Sequence, residues 1–258
     1  GLADPANGTP AAADTLYNVY SVTKAVAATA LHIQAEKGYV DYDAPIADYW
    51  PEFAQNGKAS ATVRHALTHR AGVPLMPDGV TPERMCDSDW MASAIAAMEP
   101  LAPPGEKTLY QSMTFGWIIG EIVKRTDPKH RDLNTFVQEE IAAPLGLADL
   151  WIGIPDAVAN RVAVMSNRNE NDPPPPAATL YARSMPHAVD LVPRVFGRSD
   201  VQRACGLLSI TVYTHGVVDF SLSLNGAPFA PPPSSPPPTK TITMTVAEDV
   251  GIGIASAL

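Results

Sequence analysis

The chain has 258 residues, of which 46% are hydrophobic and 17% charged, and a formal net charge of −9. This is enough chain for one sizeable apolar core, and an acidic balance without any Lys/Arg block or stripe argues against nucleic acid and anionic membrane surfaces as partners. Two cysteines, Cys86 and Cys205, exclude a disulfide framework and a Cys-rich zinc site, and no stretch reaches the ~20 apolar residues that cross a bilayer.

The opening Gly1–Asp14 has no basic segment followed by an apolar run. No signal peptide is expected there, and a cytoplasmic location is the default expectation. Ser21 to Gly38 reads as an Ala-rich helix, with Val22, Ala25, Val26, Thr29 and Ile33 at helical spacing and Gly38 at the terminating position. Thr62 is placed to cap a short helix, V-R-H-A-L-T-H, that ends before Gly72. Asp89 to Met98 predicts another helix. After the break at Pro100, Pro103, Pro104 and Gly105, Met113 to Arg125 predicts a helix that buries Phe115, Ile118, Ile119, Ile122 and Val123. Leu133 to Ala142 is a further helix.

Composition then changes. Pro173 to Pro176 is a run of prolines, and no regular element is expected over 166–200. From Cys205 the pattern turns to strand: G-L-L-S-I-T-V-Y and V-V-D-F-S-L-S-L flank T-H-G as a candidate hairpin. A second Pro-rich segment precedes a last short strand, Thr241 to Val246.

The chemistry-bearing element is Ser21-Val22-Thr23-Lys24, an S-x-x-K at a helix start. Residues three apart share a helix face, so Lys24 can reach the Ser21 hydroxyl. The helix N-terminus favours a developing alkoxide, and a lysine among apolar neighbours can lose its proton and act as base. Alone, S-x-x-K arises by chance about once in a chain this long, and an N-cap serine beside a solvated lysine is then the plainer reading.

Further motifs follow in order. D-T-L-Y-N-V-Y leads into S-V-T-K-A, and then come G-Y-V-D-Y-D-A-P-I-A-D-Y-W-P-E-F, V-R-H-A-L-T-H-R-A-G-V-P, P-G-E-K-T-L-Y-Q-S-M-T-F-G-W-I-I-G-E-I-V and A-P-L-G-L-A-D-L-W. Over about residues 14–154, this series resembles the serine β-lactamase and penicillin-binding-protein superfamily: class C β-lactamases, D-Ala-D-Ala peptidases and β-lactamase-like (family VIII) esterases. The resemblance implies an α/β (α+β) transpeptidase-like fold, a helical cluster beside an antiparallel sheet. It makes Ser21 the acylated serine, Lys24 its partner and Tyr110 the proton-relaying phenol of a Y-x-N element. Ser112 stands where that element has Asn, and is a candidate substrate-binding residue. The change leans away from strict β-lactamase chemistry and toward esters.

The family's third element, a K-T-G, H-x-G or W-G-G on a strand lining the site, has only two candidates here, His215-Gly216 and Lys240-Thr241-Ile242, neither in the usual form. His215 is therefore a second candidate substrate-binding residue, with a turn histidine as its plainer reading. The opening residues are too few to supply the strands that precede the serine in the family, so the sheet is expected to be reduced at both ends. His65 and His69, at i and i+4, lack the Glu of H-E-x-x-H and a third ligand. The resemblance makes that segment structural, packed near the active-site helix.

The sequence thus divides into a β-lactamase-related domain (1–165), a Pro-rich connection (166–204) and a divergent β-like tail (205–258). The expected function is hydrolysis of small esters or amides through an acyl-enzyme on Ser21, without metal or organic cofactor. A non-catalytic domain serving a larger chain is the alternative.

Overall fold

The computed structural model describes residues 1–164, together with the backbone of three strands at 218–224, 227–228 and 240–246. His215, Cys205 and both Pro-rich segments lie outside the described residues.

Six helices make up the described body: α1 (Thr23–Glu36), α2 (Val63–Leu67), α3 (Pro82–Met85), α4 (Ser88–Ala96), α5 (Thr114–Thr126) and α6 (Leu133–Val137). The core is built on α5, whose apolar residues recur at helical spacing: Phe115, Trp117, Ile118, Ile119, Ile122 and Val123 are all buried. Ile118, Ile119 and Ile122 are wholly sequestered, each contributing about 1.5–3 kcal/mol of burial. The buried face of α1 carries small side chains, Val26, Ala27 and Ala30, beside Leu31. Gln34 on α1 donates from its amide to the Thr126 hydroxyl of α5 (3.2 Å), tying the far ends of the two helices together.

Where the helices begin and end follows capping chemistry. Thr62 accepts from the His65 N–H, and the His65 ring accepts from the Thr62 N–H in return. Asp87 caps α4 and Asp132 caps α6. α1 stops at Lys37, and Gly38 takes the left-handed conformation (φ 77°) that a helix terminator needs. α3, a single turn capped by Thr81, has too little length to show in a periodicity. The helix expected over Leu133–Ala142 is present, but it widens into a π turn after Val137.

The opening forms two very short strands. β1 (Leu2–Asp4) and β2 (Thr9–Pro10) make a small antiparallel pair. Farther on, β3 (Val218–Leu224) pairs antiparallel with β4 (Ala227–Pro228) and parallel with β5 (Lys240–Val246). β3 and β5 fall where strands are expected. The first arm of the expected hairpin lies outside the described residues. Among the described residues, no helix is long and apolar enough to cross a membrane.

Among the buried polar side chains of this body, Lys58 and Asp127 tie its elements together. Lys58 is fully buried, donating to the carbonyls of Gln55 (2.8 Å), Ala96 (3.0 Å) and Met98 and so closing the C-terminal end of α4. Asp127, which is 2% exposed, takes three hydrogen bonds from Arg131: from its main-chain N–H (3.0 Å), Nε (2.7 Å) and a terminal nitrogen (2.9 Å). These bonds from Arg131 hold the Asp127 carboxyl down at about 2.

Lys58→Met keeps the volume but leaves three carbonyls without their donor, and should lower stability by about 3 kcal/mol in urea unfolding. The folded pKa of Asp127 is depressed, so its contribution is present above the ordinary carboxylate pKa and is lost as pH falls from about 4 toward 2. That contribution is about 2 kcal/mol. Asp127→Asn should remove this acid-dependent part, measured as a flatter stability profile over that pH range.

Candidate active site

Ser21 sits in a 3-10 turn, Tyr20–Val22, that runs directly into α1. The segment leading to it is pinned from far along the chain. Leu16 is wholly buried against Ile154 and Val162 and forms a parallel bridge with Val162. Its N–H donates to the Arg161 carbonyl (2.9 Å), and its own carbonyl accepts from Ala163 (2.8 Å). Arg161 is in turn clamped on both oxygens of Asp149 (2.9 and 2.7 Å).

The turn itself is strained. Tyr20 has φ 49°, a conformation that a bulky residue adopts at a cost of about 1–3 kcal/mol. The Asn18 side-chain oxygen accepts the Tyr20 N–H (2.8 Å) and holds the turn closed. The strain delivers the Ser21 hydroxyl to the surface at the start of a fourteen-residue helix.

Three of the expected site residues meet there. Lys24 Nζ donates to Ser21 Oγ (3.1 Å), as the spacing along one helix face predicts. The Tyr110 hydroxyl donates to the same Ser21 Oγ (2.9 Å) from 89 residues away. Lys24 lies 5.0 Å from the centre of the Tyr110 ring, closing the triangle. Burial pushes the Lys24 ammonium down from its ordinary value, and the Tyr110 phenol partly offsets this.

Ser112 also reaches the site, through its main chain. Its carbonyl accepts a hydrogen bond from Lys24 (2.8 Å), so the lysine is fixed between Ser21 Oγ and this carbonyl. No sequence pattern reveals such an acceptor, because every residue type offers it. His215 lies outside the described residues, and of Lys240–Ile242 only the β5 backbone is described.

The loop that carries Tyr110 is held by the segment His69–Gly72 along its length. Leu101 donates to the Gly72 carbonyl, Gly105 to Arg70 and Leu109 to His69, each at 2.8 Å. The Arg70 guanidinium also donates to the Gly105 carbonyl. Gly72 has φ 86°, and a β-carbon there would stand 2.5 Å from the Ala102 oxygen. The two histidines of this region have separate duties: His65 caps α2, whereas His69 faces Tyr110. Among the described residues, no group of three or more His, Cys, Asp or Glu is placed to hold a metal ion.

Residues 1–211 match the Beta-lactamase family model, which extends past the stretch over which the motifs are recognisable. The esterase/beta-lactamase LipL of Mycobacterium tuberculosis is 39% identical over 164 residues, covering 63% of this chain and 37% of that protein. A penicillin-binding-protein homolog from Caulobacter crescentus is 40% identical with a TM-score of 0.64, over 72% of this chain and 50% of that one. A family VIII carboxylesterase is 32% identical with a TM-score of 0.71, over 82% and 55%. The fold is thus the β-lactamase/transpeptidase-like one, and the chain spans less than two thirds of the length of each of these relatives.

The Gly72 contact generates a direct check on how the Tyr110 loop is held. Gly72→Ala meets backbone at 2.5 Å in a left-handed conformation, so the loop from Pro100 must move. We expect a loss of about 2 kcal/mol or more in urea unfolding.

Proposed function

Starting from a chain that belongs to the Beta-lactamase family, we propose that it hydrolyses small esters or amides through an acyl-enzyme on Ser21. The observation that carries this reading is a single hydroxyl oxygen, Ser21 Oγ, within 3.1 Å of Lys24 Nζ and 2.9 Å of the Tyr110 hydroxyl. A serine hydroxyl is a weak nucleophile unless a neighbour takes its proton as it attacks. Lys24 is lowered from its ordinary pKa by burial, which brings the neutral, proton-accepting amine within easier reach.

In this mechanism Ser21 Oγ attacks the substrate carbonyl while its proton passes to Lys24. The carbonyl oxygen becomes an oxyanion. The Ser21 main-chain N–H, in the 3-10 turn that runs into α1, donates to that oxyanion. Collapse breaks the bond to the alcohol or amine, which leaves with a proton delivered through Tyr110. Water then attacks the acyl-serine, and Ser21 regains its proton. No step needs a metal or an organic cofactor.

Esters are the favoured substrates. With Ser112 in place of Asn, no carboxamide is present at that position to bind a substrate amide. The side chains flanking the nucleophile, Tyr20 and Val22, are 42% and 47% exposed, giving the site an apolar rim suited to uncharged ester groups.

A fluorophosphonate probe should label the intact chain at Ser21, and p-nitrophenyl esters should be hydrolysed in preference to cephalosporins. Ser21→Ala should abolish both signals, and Lys24→Ala should slow hydrolysis by about a hundredfold or more. Full esterase activity in Ser21→Ala would sink the assignment. A folded chain that neither labels nor hydrolyses would favour a binding role.

A further inference from the structure

His69 is the residue around which the Tyr110 loop is arranged. It lies in the left-handed region (φ 59°), which turns its carbonyl and its ring toward the same loop. The carbonyl accepts the N–H of Leu109 (2.8 Å), the residue before Tyr110. Ring Nδ1 accepts the N–H of Gln111 (3.2 Å), the residue after it. Between these two anchors, the imidazole packs on the Tyr110 ring, with centroids 4.7 Å apart, and also on Phe115 of α5 at 5.2 Å. Tyr110 itself is 48% exposed, so few other contacts restrain the phenol.

We propose that His69 is the positioning residue for the proton relay, acting as a neutral ring whose Nδ1 acceptor and face fix the Tyr110 hydroxyl on Ser21 Oγ. This inference rests on the reading of Ser21 and Tyr110 given above. The ring never touches the reacting atoms. Its effect runs through main-chain bonds on both sides of Tyr110 and through contact with the phenol ring.

Charge supports the arrangement. Burial, with Lys24 as a second cause, pushes His69 down to about 4. At neutral pH the ring is therefore uncharged, and only an uncharged ring can leave Nδ1 bare to accept. A cation at this point would also repel Lys24. The i, i+4 spacing of His65 and His69, which suggests a ligand pair, serves instead to put one ring on the α2 cap and the other on Tyr110.

Two side chains divide the functions of the ring. His69→Asn keeps a short acceptor and tolerates the left-handed backbone, whereas His69→Phe keeps a ring face and has no acceptor. In the full chain, His69→Phe should slow fluorophosphonate labelling of Ser21 by about tenfold, and His69→Asn by no more than about threefold. Thermal unfolding identifies any variant that is simply unfolded. In a Tyr110→Phe background, His69→Phe should add less than about twofold, since its effect runs through the phenol. An equal loss in both backgrounds would overturn the proposal. Nitrogen NMR of the ring in the unaltered chain needs neither a variant nor activity. Nε2 protonated with Nδ1 bare at pH 7 is the expected result, and an Nδ1-protonated or cationic ring overturns the proposal. If the unaltered chain does not label at all, the hydrolase reading fails, and the ring tautomer still decides whether His69 anchors Gln111.

Discussion

The site depends on the hydrogen bonds that His69, Arg70 and Gly72 accept from the loop between Leu101 and Gln111. Lys24 reaches Ser21 by helix geometry alone, because three residues along α1 bring them onto one face. Tyr110 has no such local reason to be there. It meets Ser21 because its loop is laced to a neighbouring segment at four main-chain positions, and because α5, which follows directly, is locked into the core by its buried isoleucines. The helical core sets the distance, and the lacing sets the final ångströms.

Backbone strain and burial flank Ser21 on both sides. Tyr20 is held in a left-handed conformation by the Asn18 side chain, and His69 takes the same kind of conformation opposite it. Each is a residue for which a relaxed backbone would aim the chain elsewhere. Such conformations persist where the surroundings over-determine them. Here the surroundings are the Leu16–Val162 bridge on one side and the Phe115 contact on the other. Lys24 adds an electrostatic constraint, since it must sit between an exposed hydroxyl and a carbonyl while partly stripped of water.

What the sequence makes legible follows from how local each feature is. The S-x-x-K spacing and the apolar period of α5 are written in consecutive residues, and both appear where expected. Tyr110 is legible only through its resemblance to the family motif, because convergence across 89 residues leaves no local trace. The contact of Ser112 with Lys24 lies in its carbonyl, which a side-chain pattern does not record, and the left-handed backbone that turns the His69 ring to Tyr110 is equally unrecorded there. The opening strands escape because two- and three-residue elements, closed by a turn at Gly8, are too short to show alternation. His215, a candidate for the third motif, lies outside the described residues.

The bridge between Leu16 and Val162 has a consequence for the order in which this protein is made. The segment leading to Ser21 takes its main-chain partners from Arg161 and Ala163, nearly 150 residues downstream. Local helices form in microseconds, but a contact of that separation waits for a long loop to close. On the ribosome, at roughly 5–20 residues per second, the Ser21 turn emerges many seconds before the 161–163 segment that pins it. The helical core can assemble in that interval around α1 and α5, while the turn remains unsecured. The turn that carries Ser21 is therefore made long before its downstream partners and is set in place only once they arrive.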